Sequence, residues 1–240
     1  MKVLNRFFKI LKEIFYPNTC LGCGEVINEG EFLCDYCYSA IESIRSDKQC
    51  FKCGHLKSEC ECKYNTFPYS GCVAAFHNEG VAQKAMYVYK LGRRPYISDF
   101  FAFKMANAIK TAFYDAELHG ICYVPVTKKA FRKRGFDQSR LLAEKISKIL
   151  GVPLIENQIG CNNKKAGQHE VSGKDRFKNI KGVFYSKKKC IGNILLIDDI
   201  KTTGATLAEC SKQLLSSGAD SVYCATGLIT RKKGKKIKRS

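Results

Sequence analysis

The chain has 240 residues, 45% of them apolar and 26% charged, proportions that exclude a largely disordered protein, a collagen-like chain and a coiled coil. Forty-one Lys and Arg against 22 Asp and Glu leave a formal net charge of +19, and there are 14 cysteines. No apolar run approaches the roughly 18 residues of a membrane span.

Residues 1–17 open the chain with an amphipathic helix. Leu4, Phe7, Phe8, Leu11, Ile14 and Phe15 share one face, Lys2, Arg6, Lys9, Lys12 and Glu13 the other, and Pro17 stops it. Such a helix docks its apolar stripe on the protein's own core or rests on an anionic membrane surface. Polar residues interrupt it every two or three positions, so it lacks the continuous apolar stretch of a signal peptide. With the cysteine spacings below, this points to the cytoplasm, with the first helix as the element that would touch the inner membrane face.

Residues 18–66 hold eight cysteines. Cys20 and Cys23 form one CxxC knuckle, and Cys34 and Cys37 a second, ten residues on. Two such knuckles complete a tetrahedron of thiolates around Zn2+. Gly22 and Gly24 stand where the first tight turn needs them. A second set pairs Cys50 and Cys53 with Cys60 and Cys62, the last pair one residue short of the usual spacing. Four cysteines around a second Zn2+ is the favoured reading; a site using the neighbouring His55, or one oxidised pair, is the alternative. About 45 residues enclose too little core to fold alone, so metal binding supplies the missing stability. The other six cysteines, at positions 72, 122, 161, 190, 210 and 224, show no ligand spacing and read as small apolar side chains or idle thiols.

Charge divides along the chain. Residues 17–71 carry five cations and eight anions, and two four-thiolate zinc sites would take this segment from −3 to about −7. Phosphate would not seek that surface, so a structural or protein-contact role suits the ribbons better than DNA binding. Residues 72–230 carry 25 cations against 13 anions, and residues 231–240 form a basic tail of seven cations and no acid, expected to be disordered. A polyanionic partner, nucleic acid or a phosphorylated small molecule, fits that field.

Within residues 72–230 the informative stretch runs from Ile194 to Gly218. Four apolar residues ahead of Asp198 and Asp199 predict a buried parallel strand ending at a sheet's carboxyl edge. Lys201, Thr202, Thr203, Gly204, Ala205 and Thr206 then turn into a helix that Gly218 closes. Backbone N–H groups and the three Thr hydroxyls at that helix start would cradle a phosphate, and the paired carboxylates suit sugar hydroxyls, with Mg2+ nearby on the substrate's phosphates. The Walker A order is absent. Leu141, Leu142, Ile146, Ile149 and Leu150 repeat with helical period and predict a helix from about 137 to 150, broken by Gly151-Val-Pro153.

The 194–206 stretch resembles the phosphoribosyl pyrophosphate (PRPP) motif of the type I phosphoribosyltransferases. The rest narrows the resemblance to the ComF family, the late-competence branch with a double zinc ribbon. Lys90-Leu-Gly-Arg is similar to that family's LKxG-R segment and Tyr123-Val124-Pro125-Val126 to its PVP strand. Arg132-Lys-Arg134-Gly135-Phe136-Asp137-Gln138 resembles its RxRGFNQ signature, with Asp137 where Asn is usual. Gln168, Arg176, Asn179 and Phe184 match its Q…R..N…F pattern.

The resemblance implies an α/β fold, type I phosphoribosyltransferase-like, with a mainly parallel sheet and flanking helices behind a small zinc-ribbon module. It implies strands at 121–126, 182–186 and 221–226 and a mobile loop near 160–180. By the same resemblance Asp198 and Asp199 hold the ribose hydroxyls and residues 201–206 the 5′-phosphate. The turn after Val126 faces the pyrophosphate with Lys128 or Arg132, and Lys164 or Lys165 closes over it. Three functions follow: a phosphoribosyltransferase acting on PRPP, a binding protein for incoming single-stranded DNA in natural transformation, or an adaptor for a DNA-translocating helicase. Phe131, Phe136 and Tyr185 would stack bases or, more simply, fill the core. Type I relatives commonly pair, so a homodimer is also implied.

Overall fold

A computed structural model describes residues 17–60, 62–63, 65–91, 94–162 and 180–231. The first helix, Lys164, Lys165, Gln168, Arg176 and Asn179, and the tail from 232 onward lie outside the described residues.

The ribbon module carries one short helix, α1 (Asp35–Ala40). The remainder alternates strands and helices: β1 (Gly71–His77), α2 (Gly80–Leu91), α3 (Ser98–Ala112), β2 (Gly120–Tyr123), α4 (Lys128–Arg134), α5 (Gln138–Leu150), β3 (Ile159–Cys161), β4 (Phe184–Ser186), β5 (Asn193–Lys201), α6 (Ala205–Ser216) and β6 (Ser221–Ile229). β1, β6, β5 and β2 lie side by side in that order, all parallel. β3 and β4 form a separate antiparallel pair. The chain is thus an α/β protein with a parallel sheet, as the residues predict.

β5 lies between β6 and β2 and is buried on both faces, which is why its sequence is a continuous apolar run. Its side chains still alternate. Leu195 and Ile197 join the core under α2, α3 and α5, while Ile194 and Leu196 join the core under α6. On the first face, Leu142 and Ile146 of α5 are fully buried, each contributing roughly 1.5–3 kcal/mol. Asp137 caps the N-terminus of α5 and Gly151, in the left-handed region, ends it. The strand expected over 121–126 ends at Tyr123; Val124 N–H still donates to Ile197 O at 2.9 Å, and residues 125–127 then lead away to α4.

The ribbon expected over residues 18–66 packs directly against the sheet. Ser43 bridges antiparallel to Phe76, Ile44 N–H donates to Ala75 O at 2.9 Å, the Gln49 side-chain amide donates to Ala74 O at 3.2 Å, and Cys72 N–H donates to Phe51 O at 2.6 Å. The ribbon therefore covers the otherwise open β1 edge of the sheet. Cys20, Leu21, Leu33 and Cys37 are buried in the same core as Phe76, Phe101 and Ile197. Metal module and sheet share one interior.

Candidate functional site

The two cysteine sets fold into two four-sulfur clusters, Cys20, Cys23, Cys34 and Cys37, and Cys50, Cys53, Cys60 and Cys62, whose ligand atoms all lie within 4.8 Å of one another. A tetrahedron with zinc–sulfur bonds of about 2.3 Å has edges of about 3.8 Å. Cys23 and Cys34 Sγ are 3.7 Å apart, Cys50 and Cys62 3.8 Å, Cys53 and Cys60 3.9 Å and Cys60 and Cys50 3.4 Å. Both clusters fit zinc, and no pair is a disulfide. The short Cys60-x-Cys62 spacing closes without help from His55, which is buried but outside the cluster.

Main-chain donors tune the sulfurs. Cys34 N–H donates to Cys20 Sγ at 3.3 Å and Gly22 N–H at 3.4 Å. Burial raises the Cys20 thiol, but the backbone N–H of Cys23 first, then those of Cys34 and Gly22, with the Cys23 side chain, outweigh it and bring its pKa down to about 6. Gly22 is required by contact: a Cβ there would sit 2.6 Å from Cys37 Sγ. Of the remaining six cysteines, five are buried and Cys161 is half-buried, and none enters a cluster among the described residues.

The second site begins where β5 ends. β2 has Leu154 beside it on one edge and β5 on the other, so the chain leaves β2 to one side and later returns on the opposite side. The crevice above such a reversal is where α/β sheets bind ligands. Asp198 and Asp199 stand near the carboxyl end of β5, both buried. Asp198 Oδ1 accepts from Ser139 Oγ at 3.0 Å and from Asp199 N–H at 2.9 Å. Asp199 Oδ2 lies 2.8 Å from Lys90 Nζ. Burial, and next the charge of Asp199, push the Asp198 carboxyl up to about 7 against the opposing pull of these donors and Lys90. The two neighbours therefore differ: one carboxyl holds its proton near neutrality and the other is paired with a cation.

Beyond the acids the chain turns through Thr202 and Thr203 into α6. Gly204 precedes the helix at φ 80° and contributes no side-chain cap, while Thr203 Oγ1 accepts from Ala205 N–H at 3.3 Å. Thr202 is exposed, and Thr203 and Thr206 half-buried, around this helix start. The dipole and free donors of a helix opening favour an anion here.

Lys201 does not join this group. Its side chain is 2% exposed and runs the other way, its ammonium donating to Cys53 O and lying 5.1 Å from the Phe67 ring centre and 5.8 Å from that of Tyr69. The expected phosphate ligand is a buried strut, because its ammonium is already held by the Cys53 carbonyl and the rings of Phe67 and Tyr69.

Lys128 and Arg132 lie on α4, whose start Thr127 caps through Ala130 N–H at 3.1 Å. They line a cleft of about 480 Å³ with Tyr123, Phe131, Asp137 and Glu156, which contains no residue of 201–206. Asp137 joins the two regions. One of its oxygens accepts from Val126 N–H at 3.2 Å and the other from Arg140 N–H at 3.0 Å, so a carboxylate here both holds the turn after β2 and caps α5. Phe136 packs against Tyr89 at 5.5 Å in the core, while Phe131 and Tyr185 remain about half exposed. Sequence reasoning gave Ser139 no role and left Lys90 as part of a motif; the motif was its only signal.

Residues 11–68 match the double zinc ribbon domain family. The chain is 34% identical over 103 residues to the DNA utilization protein YhgH of Salmonella typhi, covering 42% of this chain and 45% of that protein. It is 34% identical over 105 residues to competence protein F of Haemophilus influenzae, covering 41% and 46%, and 36% identical over 97 residues to competence protein ComFC of Bacillus subtilis, covering 40% and 38%. The matched part spans less than half the length of these relatives.

Proposed function

We propose that this chain, a member of the ComF family, binds PRPP or a related phosphorylated ribose above β5 and acts in the handling of DNA taken up during competence. The carrying observation is the conjunction of neighbouring, unlike carboxylates at the end of β5 with a helix start whose N-cap is Gly204, only five or six residues further along the chain. Asp198 and Asp199 would take the ribose hydroxyls, and the N–H groups and hydroxyls of Thr202, Thr203 and Thr206 the 5′-phosphate, with Mg2+ carried by the ligand. Lys128 and Arg132, across Asp137, would face the pyrophosphate. The competence names of the relatives, together with the basic field of residues 72–240, support single-stranded DNA as the macromolecular ligand. A phosphate cradle and turnover are separable properties, so the proposal concerns binding.

The decisive experiment is calorimetry with PRPP and Mg2+ on the full chain. Wild type binds, and the double variant Asp198→Asn, Asp199→Asn does not; equal affinity in both discards this site. Pyrophosphate release, assayed with free bases and single-stranded DNA, then separates a phosphoribosyltransferase from a binding protein.

One observation favours a protein contact in addition. Val26, Tyr36 and Tyr38 of the first ribbon are 71%, 78% and 59% exposed on a segment of net negative charge. Apolar, acidic surface suits a protein rather than a phosphate backbone, and a DNA-translocating helicase is the partner class the family suggests. Cross-linking from position 36 tests it.

A further inference from the structure

We propose that the second cysteine cluster sets the floor of the anion-binding turn through Lys201, so that metal in that cluster and ligand on that turn bind cooperatively. This rests on the reading of residues 202–206 as a phosphate cradle, and deepens it by naming what positions the cradle.

Lys201 is the last residue of β5, immediately before the turn. Its stem lies beneath Gly204: a Cβ at that glycine would meet Lys201 Cε at 2.8 Å, and Lys201 Nζ and Tyr69 Oη at 3.7 Å each. The turn thus rests on a lysine stem and a tyrosine hydroxyl. Both are inaccessible, and among the described residues Tyr69 Oη has no hydrogen-bond partner. At its far end the ammonium donates to the carbonyl of Cys53, itself 1% exposed and one of the four sulfur residues of the second cluster. Phe67 and Tyr69 flank it with ring faces.

A buried ammonium must keep its acceptor and its aromatic faces. The carbonyl of Cys53 stays in place only while the knuckle around it is folded, and a thiolate knuckle of this length is folded by its metal. Losing that metal releases the carbonyl. The ammonium then leaves its pocket for water, and the stem that supports Gly204 goes with it. The first cluster has no such link: among the described residues its contacts with β5 run through apolar packing. Linkage requires the reverse effect as well, so an anion that fixes the turn retains the metal.

The test has one arm without ligand and one with it, both on the full chain. In the first, amide exchange of residues 201–208 is followed in wild type, Lys201→Met, Cys62→Ser and Cys23→Ser. Exchange at 201–208 is expected to accelerate about tenfold in Lys201→Met and Cys62→Ser relative to the other core amides of the same chain, and not in Cys23→Ser. Unchanged exchange in the first two, or equal acceleration in all three, overturns the proposal. Should Lys201→Met not fold, Cys62→Ser against Cys23→Ser decides the arm alone. In the second, zinc transfer to a chelator is timed for the Cys23→Ser chain, which keeps only the second site, with and without PRPP and Mg2+. The ligand is expected to slow transfer about tenfold, and Lys201→Met to abolish the slowing. If PRPP binds and transfer is unaltered, the coupling is refuted. If PRPP does not bind at all, the phosphosugar reading falls, and the first arm still decides the strut.

Discussion

Lys90 Nζ lies 2.8 Å from Asp199 Oδ2, joining α2 to the carboxyl end of β5, with the two side chains only 19% and 11% exposed. Removing one partner of a buried pair leaves the other charge uncompensated, which costs about 3 kcal/mol or more. Lys90→Met should therefore lower the urea midpoint of the ligand-free chain. It should weaken PRPP binding further, since the carboxylate loses the cation that fixes its orientation. An unshifted midpoint would mean that the pair is replaced by solvent at no cost.

Asp198 carries a stability signature that depends on pH. Its carboxyl is pushed up to about 7 in the folded chain, against roughly 4 when unfolded. Between those values the folded state binds more protons than the unfolded state, so stability falls as pH rises, by up to about 1.4 kcal/mol per unit. Below pH 4 both states hold the proton and the penalty vanishes. Asp198→Asn removes the penalty. Its melting temperature should exceed wild type at pH 8 and match it near pH 4, while PRPP affinity is lost. A variant less stable at pH 8 would place the proton elsewhere.

Each chain should hold two zinc ions, and any one ligand replaced by serine should leave one. Because Cys20 and Cys37 share a core with Phe76 and Phe101, Cys20→Ser should not melt the ribbon while sparing the sheet, as independent modules would. A single transition at lower temperature is expected by calorimetry. Two resolved transitions would restore the modular picture.

The tail should contribute to DNA affinity through counterion release. Arg231 is held by Glu79 at 3.2 Å, so a truncation after residue 231 removes six cations of the sequence while leaving that ion pair intact. The slope of log affinity against log salt for single-stranded DNA should become shallower by up to about 0.7 per cation removed. An unaltered slope would show the tail to be inert.

Several elements were readable before the fold was known, and others were not. α5 announced itself because one face alone is apolar, with Leu142 and Ile146 inward and Arg140 and Lys148 outward. β1 and α3 gave no such signal. β1 is buried along nearly its whole length, and α3 places Phe100, Phe101, Met105 and Ile109 inward but also Phe103 outward, so neither shows a clean period. α4 is a seven-residue helix of mostly cationic residues, recognisable only by the cap Thr127 and the ending Gly135.

The first sulfur cluster and the succession of strand, acids, turn and helix over residues 193–216 follow from the amino-acid order alone, whereas the ligand set of the second cluster, with its short Cys60-x-Cys62 spacing, was closed only by the fold. Metal ligands must recur at knuckle spacing, and a strand that ends in a helix start is a local event along a few residues. What surrounds them was decided by the folded chain. The pairing of Lys90 with Asp199, the hydroxyl of Ser139 on Asp198, the ribbon laid along the β1 edge and the turn of Lys201 toward Cys53 all join segments distant in sequence. Spacing along the chain carries no information about such meetings. The direction of Lys201 shows why: the same lysine beside the same turn reaches the ligand or the metal knuckle according to which acceptor and rings the folded chain sets around its ammonium, and packing alone brings them there.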